Sequence, residues 1–126
     1  MLAKLWHIYL VKKPRHTKGR RKRKYVAIVL IDVVPMGFYI NSERTDWIRQ
    51  RPKFWPCEAN ILAEEHSCLE YNSIVDCQQL YQFAKSELTA IKDKISDNAK
   101  REILAAVRNC PKLEQKYKDA ILTHEG

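Results

Sequence analysis

Tyr25-Val-Ala-Ile-Val-Leu-Ile31 is the longest apolar run in the chain and is rich in β-branched residues. A run of that length and type reads as a strand buried on both faces rather than one half exposed to water. Val33-Val34-Pro35-Met36-Gly37 then reads as a turn, and Gly37-Phe-Tyr-Ile40 as a second strand returning beside the first. Directly before this hairpin lies KKPRHTKGRRKRK, residues 12–24, and directly after it come Asn41-Ser42. A buried hairpin with cations at one mouth and small hydrogen-bonding groups nearby is suited to an anion.

At 126 residues the chain reads as a single domain, 1–126, able to bury a core without cross-links. An apolar fraction of 45% and three tryptophans argue for a folded globule and against a disordered tail. The first seven residues lack the apolar segment of a secretory signal, and no apolar run approaches the roughly 20 residues of a membrane helix. The expectation is a soluble, cytoplasmic protein that does not engage a membrane. The formal net charge is +8, yet residues 12–24 hold nine lysines and arginines and no acid, leaving 14 basic against 15 acidic residues elsewhere. Basicity is therefore local. Such a field recruits polyanions, above all RNA or another nucleic acid, with an acidic protein as the other partner class. The plainer reading of the same loop is a solvated tether or address tag.

Cys57, Cys68, Cys77 and Cys110 form no CxxC pair, and their spacing with His66 does not match the close ligand pairs of a zinc site. They read as buried reduced thiols, with no metal and no cofactor.

In chain order, residues 5–11 read as a first strand and residues 12–24 as a loop. Residues 43–56 read as irregular, with a helical turn at Thr45-Asp46-Trp47-Ile48. Residues 57–62, 68–69 and 73–77 read as further short strands. Leu80, Phe83, Ala84, Leu88 and Ile91 share one stripe at helical spacing, predicting an amphipathic helix after Asp76. Ser96 is a good N-cap for a second helix, with Asp97 in its first turn. Pro111 suits the first position of a last one. The expected fold class is α+β: a small β-barrel or curled sheet of about five to six strands over residues 5–77, then two to three helices over residues 78–122.

Chemistry is expected where strand ends and loops meet. His16 sits among Arg15, Lys18 and Arg20, a field that favours its neutral, proton-accepting form. That suits abstraction of a ribose 2′-hydroxyl proton. A guanidinium from Arg20, Arg21 or Arg23 would hold the phosphate. Ser42 follows the hairpin, and Asp76 ends a late strand. Structural readings stand beside these: a solvated His16, a turn residue at Ser42, a helix cap at Asp76 and a surface His66. No nucleotide-binding loop, GxSxG elbow or HExxH occurs, which excludes the common dinucleotide enzymes, α/β-hydrolases and zincins.

Taken in order, WHIYLV, His16 in a basic loop, KYVAIVL, a strand ending in INS and then SIVDCQQL resemble the PemK/MazF-like toxin family over roughly residues 5–108. That resemblance implies an SH3-like barrel and a metal-independent endoribonuclease. It further implies a homodimer, neutralised by an acidic antitoxin in a type II toxin–antitoxin pair. His16 falls near the family's loop histidine, Ser42 matches its strand-end hydroxyl, and Ser73 and Asp76 match the Thr and Asp of its late strand. Arg23 replaces the expected arginine by a shift of one residue. Lys12, Lys13, Arg15, Lys18, Arg20, Arg21, Lys22 and Lys24 would bind the nucleic acid. The chain departs from the pattern at Lys24-Tyr25, where Arg-Pro is expected, and at Asn72, near the family's second arginine. A catalytically silent barrel that uses the basic loop to bind nucleic acid or protein therefore stands as the alternative.

Overall fold

The computed structural model describes residues 3–14 and 23–123. The apolar run becomes strand β2 (Lys24–Asp32), with β1 (His7–Val11) antiparallel on one side and β3 (Val34–Asn41) antiparallel on the other. Residues 26–30 are all buried because β2 is covered twice. Ala27 and Val29 face the same core as Ile8, Phe38 and Ile40, whereas Val26 and Ile28 face Tyr9, Val11 and Tyr39. From Val26 to Val29 the side chains still alternate with the period of a strand, and only Leu30, past a shift in pairing, joins Val29 on the same side. Burial of both sets is why the sequence shows no alternation.

The hairpin turn is tighter than expected. Asp32 pairs with Val34, so Val33 alone forms the tip, 96% exposed and at φ 63. That left-handed backbone is strained for a β-branched residue. Pro35, Met36 and Gly37 belong to β3, not to the turn. Gly37 serves close approach instead: a Cβ there would collide with the carbonyl oxygen of Ala27 and lie 3.1 Å from Ile28 Cδ1. Pairing shifts between Ile28 and Leu30, so Gly37 marks a bulge rather than a chain reversal.

The remaining strands are β4 (Glu58–Ile61), β5 (Ser73–Asp76), β6 (Tyr81–Gln82) and β7 (Ala90–Lys94). They complete a seven-stranded antiparallel sheet in the order β4-β5-β3-β2-β1-β7, with β6 also on β3. A short helix, α1 (Asp46–Arg49), is capped by Thr45 and leads into a 3-10 segment at Pro52–Cys57. Two main helices, α2 (Asp97–Asn109) and α3 (Gln115–Thr123), close the chain. The fold is α+β as expected.

Seven strands exceed the expected five to six because the stretch from Leu80 to Ile91 is not a helix. It forms β6, a 3-10 turn at Lys85–Glu87 and the start of β7. Leu80 joins the helix-side core, while Phe83 and Leu88 pack on the opposite face with Tyr9 and Tyr39. One helical stripe cannot serve both faces. The free edge of β1 decides the outcome by offering backbone partners, beginning with Leu10 O, which accepts from Thr89 N at 2.9 Å. Residues 68–69, expected as strand, lie outside every strand.

Ser96 caps α2 as expected, its Oγ accepting from Ala99 N at 3.0 Å. Ile103, Ala106 and Val107 pack on the sheet from that helix. The last helix starts at Gln115 and not at Pro111, with Leu113 buried in the connection. Cys57 and Cys110 form a disulfide across 53 positions. This corrects the reading of four reduced thiols. The end of α2 lies over the entry to β4, a neighbourhood that cysteine spacing did not reveal. Cys68 and Cys77 are free. His66, expected at the surface, is 1% exposed. Its Nδ1 donates to Leu62 O at 2.8 Å and its Nε2 accepts from Ser96 N at 2.9 Å, tying the loop before β5 to the head of α2. Among the described residues, no helix is long and apolar enough to cross a membrane.

Candidate functional site

Antiparallel pairing gathers the polar strand ends. Val11 pairs with Lys24, Tyr25 with Ile40, and Asn41 with Ile74. The end of β1, the start of β2, the end of β3 and the start of β5 therefore lie at one end of the sheet. Arg23, Lys24, Ser42 and Ser73 line a cleft of about 380 Å³ at that end, together with Tyr25, Leu69 and the carboxylate-bearing Glu70. A shallower groove of about 270 Å³ shares Lys24 and Ser42 and continues past Asn41 and Glu43 to Arg44, Thr45 and Asp46, so it holds two carboxylates as well as two cations.

Arg23 and Ser42 are exposed, and Ser73 is buried, with 8% exposure. Lys24 Nζ donates to Asn41 Oδ1 at 2.8 Å, which holds the ammonium at the rim. Ser73 Oγ donates to Tyr71 O at 2.8 Å, so its lone pairs are what it offers the cleft. Cys68 also lines the cleft. Burial, then the charge of Asp93, push its thiol up to about 11, so it is protonated at neutral pH and is no nucleophile.

Of the residues expected to carry chemistry, the structure brings together Arg23, Ser42 and Ser73, with Lys24 beside them. Asp76 is not among them. It lies three residues farther along β5 than Ser73, about 10 Å away at strand rise and on the opposite face. There it accepts from Gln78 N at 3.2 Å and from Gln78 Nε2 at 2.9 Å. It also pairs across the sheet with Glu58. Glu58 is raised above its ordinary range, first by burial and then by the Asp76 charge, against the pull of Arg44 at 2.6 Å. Asp76 thus closes a turn rather than entering the cleft. Asn72 holds no place for a lost cation either: its Oδ1 accepts from Ala63 N at 2.9 Å.

Lys12 and Lys13 are exposed just past β1, at the same end as Lys24. His16, Arg15, Lys18, Arg20, Arg21 and Lys22 lie outside the described residues. The chain that carries them leaves β1 and rejoins β2 at two neighbouring points on the cleft's edge. Among the described residues, no group of three or more His, Cys, Asp or Glu is placed to hold a metal. Reading residues 43–56 only as irregular missed Arg44, which reaches the groove. The available signal was the interleaving of cations and aromatics in RTDWIRQRPKFW.

No protein-family model matches the chain, and no curated protein matches it in sequence. Among solved structures, the fold is similar to that of the Mycobacterium tuberculosis toxin MazF-mt6, with a TM-score of 0.61 and 14% identity. The match covers 86% of this chain and 98% of that one. The two chains share a fold.

Proposed function

We propose that this chain is a toxin-like protein that binds single-stranded RNA, with the phosphodiester backbone held in the Arg23–Ser42–Ser73 cleft. One observation carries the reading: Arg23, Lys24 and two hydroxyls line one cleft at one end of the sheet, where the basic loop joins β2. A guanidinium offers paired donors to non-bridging phosphate oxygens, and Ser42 adds a further donor. Ser73, its proton already committed to Tyr71 O, is left to accept from a ribose hydroxyl. A fold similar to that of a toxin supports the same reading. On this reading the protein works in the cytoplasm as a homodimer, and an acidic antitoxin competes with RNA for the cations.

The endoribonuclease version adds one step. The 2′-hydroxyl attacks the adjacent phosphorus as its proton passes to His16, and the P–O5′ bond breaks with the 5′-oxygen taking a proton from water, giving a 2′,3′-cyclic phosphate and a free 5′-hydroxyl. Arg23 stabilises the charge that develops on the phosphoryl oxygens. Asp76 is too far along β5 to act as the base, so the step depends on His16. The placement of Asp76 and the bonding of Asn72 favour the silent binder as the second reading.

Fluorescence anisotropy with a labelled single-stranded RNA tests the binding. The affinity falls with salt at a log–log slope of about −0.7 per phosphate contacted, and Arg23→Ala removes about one such contact. A salt-insensitive affinity would contradict the proposal. Incubating the same RNA in EDTA separates the two versions. Cleavage that disappears in His16→Ala supports the enzyme, and intact RNA with binding retained supports the silent binder.

A further inference from the structure

Beyond the cleft, the segment from Arg44 to Trp55 builds a second cationic surface of different character. Trp47 and Phe54 stack with ring centroids 5.2 Å apart and planes within 11°. Arg51 lies 4.3 Å above the Trp47 ring, and Lys112, from the connection between α2 and α3, lies 4.5 Å from it. Lys53 sits 5.1 Å from the Phe54 ring. Arg44 covers Trp55 at 4.2 Å, and Trp55 Nε1 donates to Ile48 O at 2.9 Å. Trp47 and Trp55 nevertheless stay 42% and 41% exposed. Large aromatics at that exposure, each carrying a cation, do not serve burial alone.

We infer that this surface is a stacking platform for unpaired bases of the RNA strand whose phosphates occupy the cleft. The inference rests on the RNA-binding reading above and extends it to a base-contacting subsite. Two features point to RNA rather than to a protein. The guanidinium planes of Arg51 and Arg44, laid on the Trp47 and Trp55 rings, offer their outer faces to any base by stacking, while the same cations face phosphates. Arg44 also belongs to both places, since it covers Trp55 and lines the groove that shares Lys24 and Ser42 with the cleft. A strand leaving the cleft along that groove passes Glu43 and reaches Arg44, and Trp55 with it. An acidic peptide would satisfy the charge and leave the flat outer faces of the guanidinium planes unused.

The test compares three RNAs on the wild-type protein by anisotropy. One is a di- or trinucleotide that fills only the cleft. The second is a longer single strand, and the third is the same strand with abasic sites outside the cleft-bound nucleotides. Stacking predicts that the longer strand binds more tightly and that the abasic strand loses about 5- to 100-fold. Trp47→Leu, which keeps apolar bulk, and Arg51→Gln each weaken the long strand and leave the short one unchanged. Equal binding of the abasic and intact strands overturns the platform while the cleft reading stands. The same holds if the variants weaken short and long strands alike. If the wild-type protein binds none of the three, both readings fall.

Discussion

The cleft and the aromatic platform are both cationic, but they are held together in different ways. The cleft is set by backbone hydrogen bonds, since its residues are the ends of strands whose register is fixed by the core of the sheet. The platform is set by side chains: ring stacking, cations on rings, one indole hydrogen bond and the Cys57–Cys110 bridge at the end of its 3-10 segment. Backbone ladders give a geometry that survives most single side-chain changes. Stacked side chains give one that adapts to its occupant and loosens when a staple is removed.

Breaking the bridge should separate the two regions most sharply. Replacing Cys57 and Cys110 with alanine removes a cross-link over 53 positions and should cost about 2–4 kcal/mol in urea denaturation. Hydrogen exchange should then rise first in residues 45–57, with β2 and β3 still protected. Gly37→Ala attacks the other region. The added methyl meets the Ala27 carbonyl and should cost about 1–3 kcal/mol, with exchange rising at the hairpin and at β6. Uniform loss of protection in both variants would show that the regions are not independent.

Arg23→Ala should act on the cleft alone, weakening RNA of any sequence and flattening the salt slope by about 0.7 without moving the melting temperature. Thr45→Ala removes the α1 cap. Its Oγ1 accepts from Ile48 N at 3.4 Å, a long bond, so a loss of about 0.5 kcal/mol is expected from thermal melts. The last prediction concerns Cys68. The folded thiol holds its proton up to about pH 11, above its unfolded range. From about pH 9 to 11 the unfolded chain has lost that proton and the folded one has not, so stability should fall as pH rises. Iodoacetamide labelling of Cys68 should be slow at pH 8 and quicken towards pH 11. Fast labelling at neutral pH in the folded protein would contradict the protonated cleft thiol.

Much of the scaffold could be read from local chemistry. Tyr25 to Ile31 cannot be left in water, and Ser96-Asp97 ahead of the Ile103, Leu104 and Val107 stripe specifies a capped helix. The misreadings share a cause. Pro35-Met36-Gly37 looks like a turn because proline and glycine usually mark one, but here Gly37 relieves a backbone approach from β2. Leu80, Phe83, Leu88 and Ile91 fit a helical stripe by spacing, yet the edges of β1 and β3 claimed that stretch. Asp76 was placed with Ser42 by its position at a strand end, although three residues along a strand reverse the face and carry it to the other end.

By itself the sequence determined that a doubly buried hairpin would form the centre, that a capped helix would follow the strands, and that nine cations would enter at one strand end. These follow from burial, capping and charge within a few residues. Only the tertiary structure decided which polar residues meet in the cleft, that Cys57 finds Cys110, and that Lys112 reaches the Trp47 ring. Such contacts join positions far apart in the chain. They depend on strand register and on where α2 ends, and no local preference encodes either.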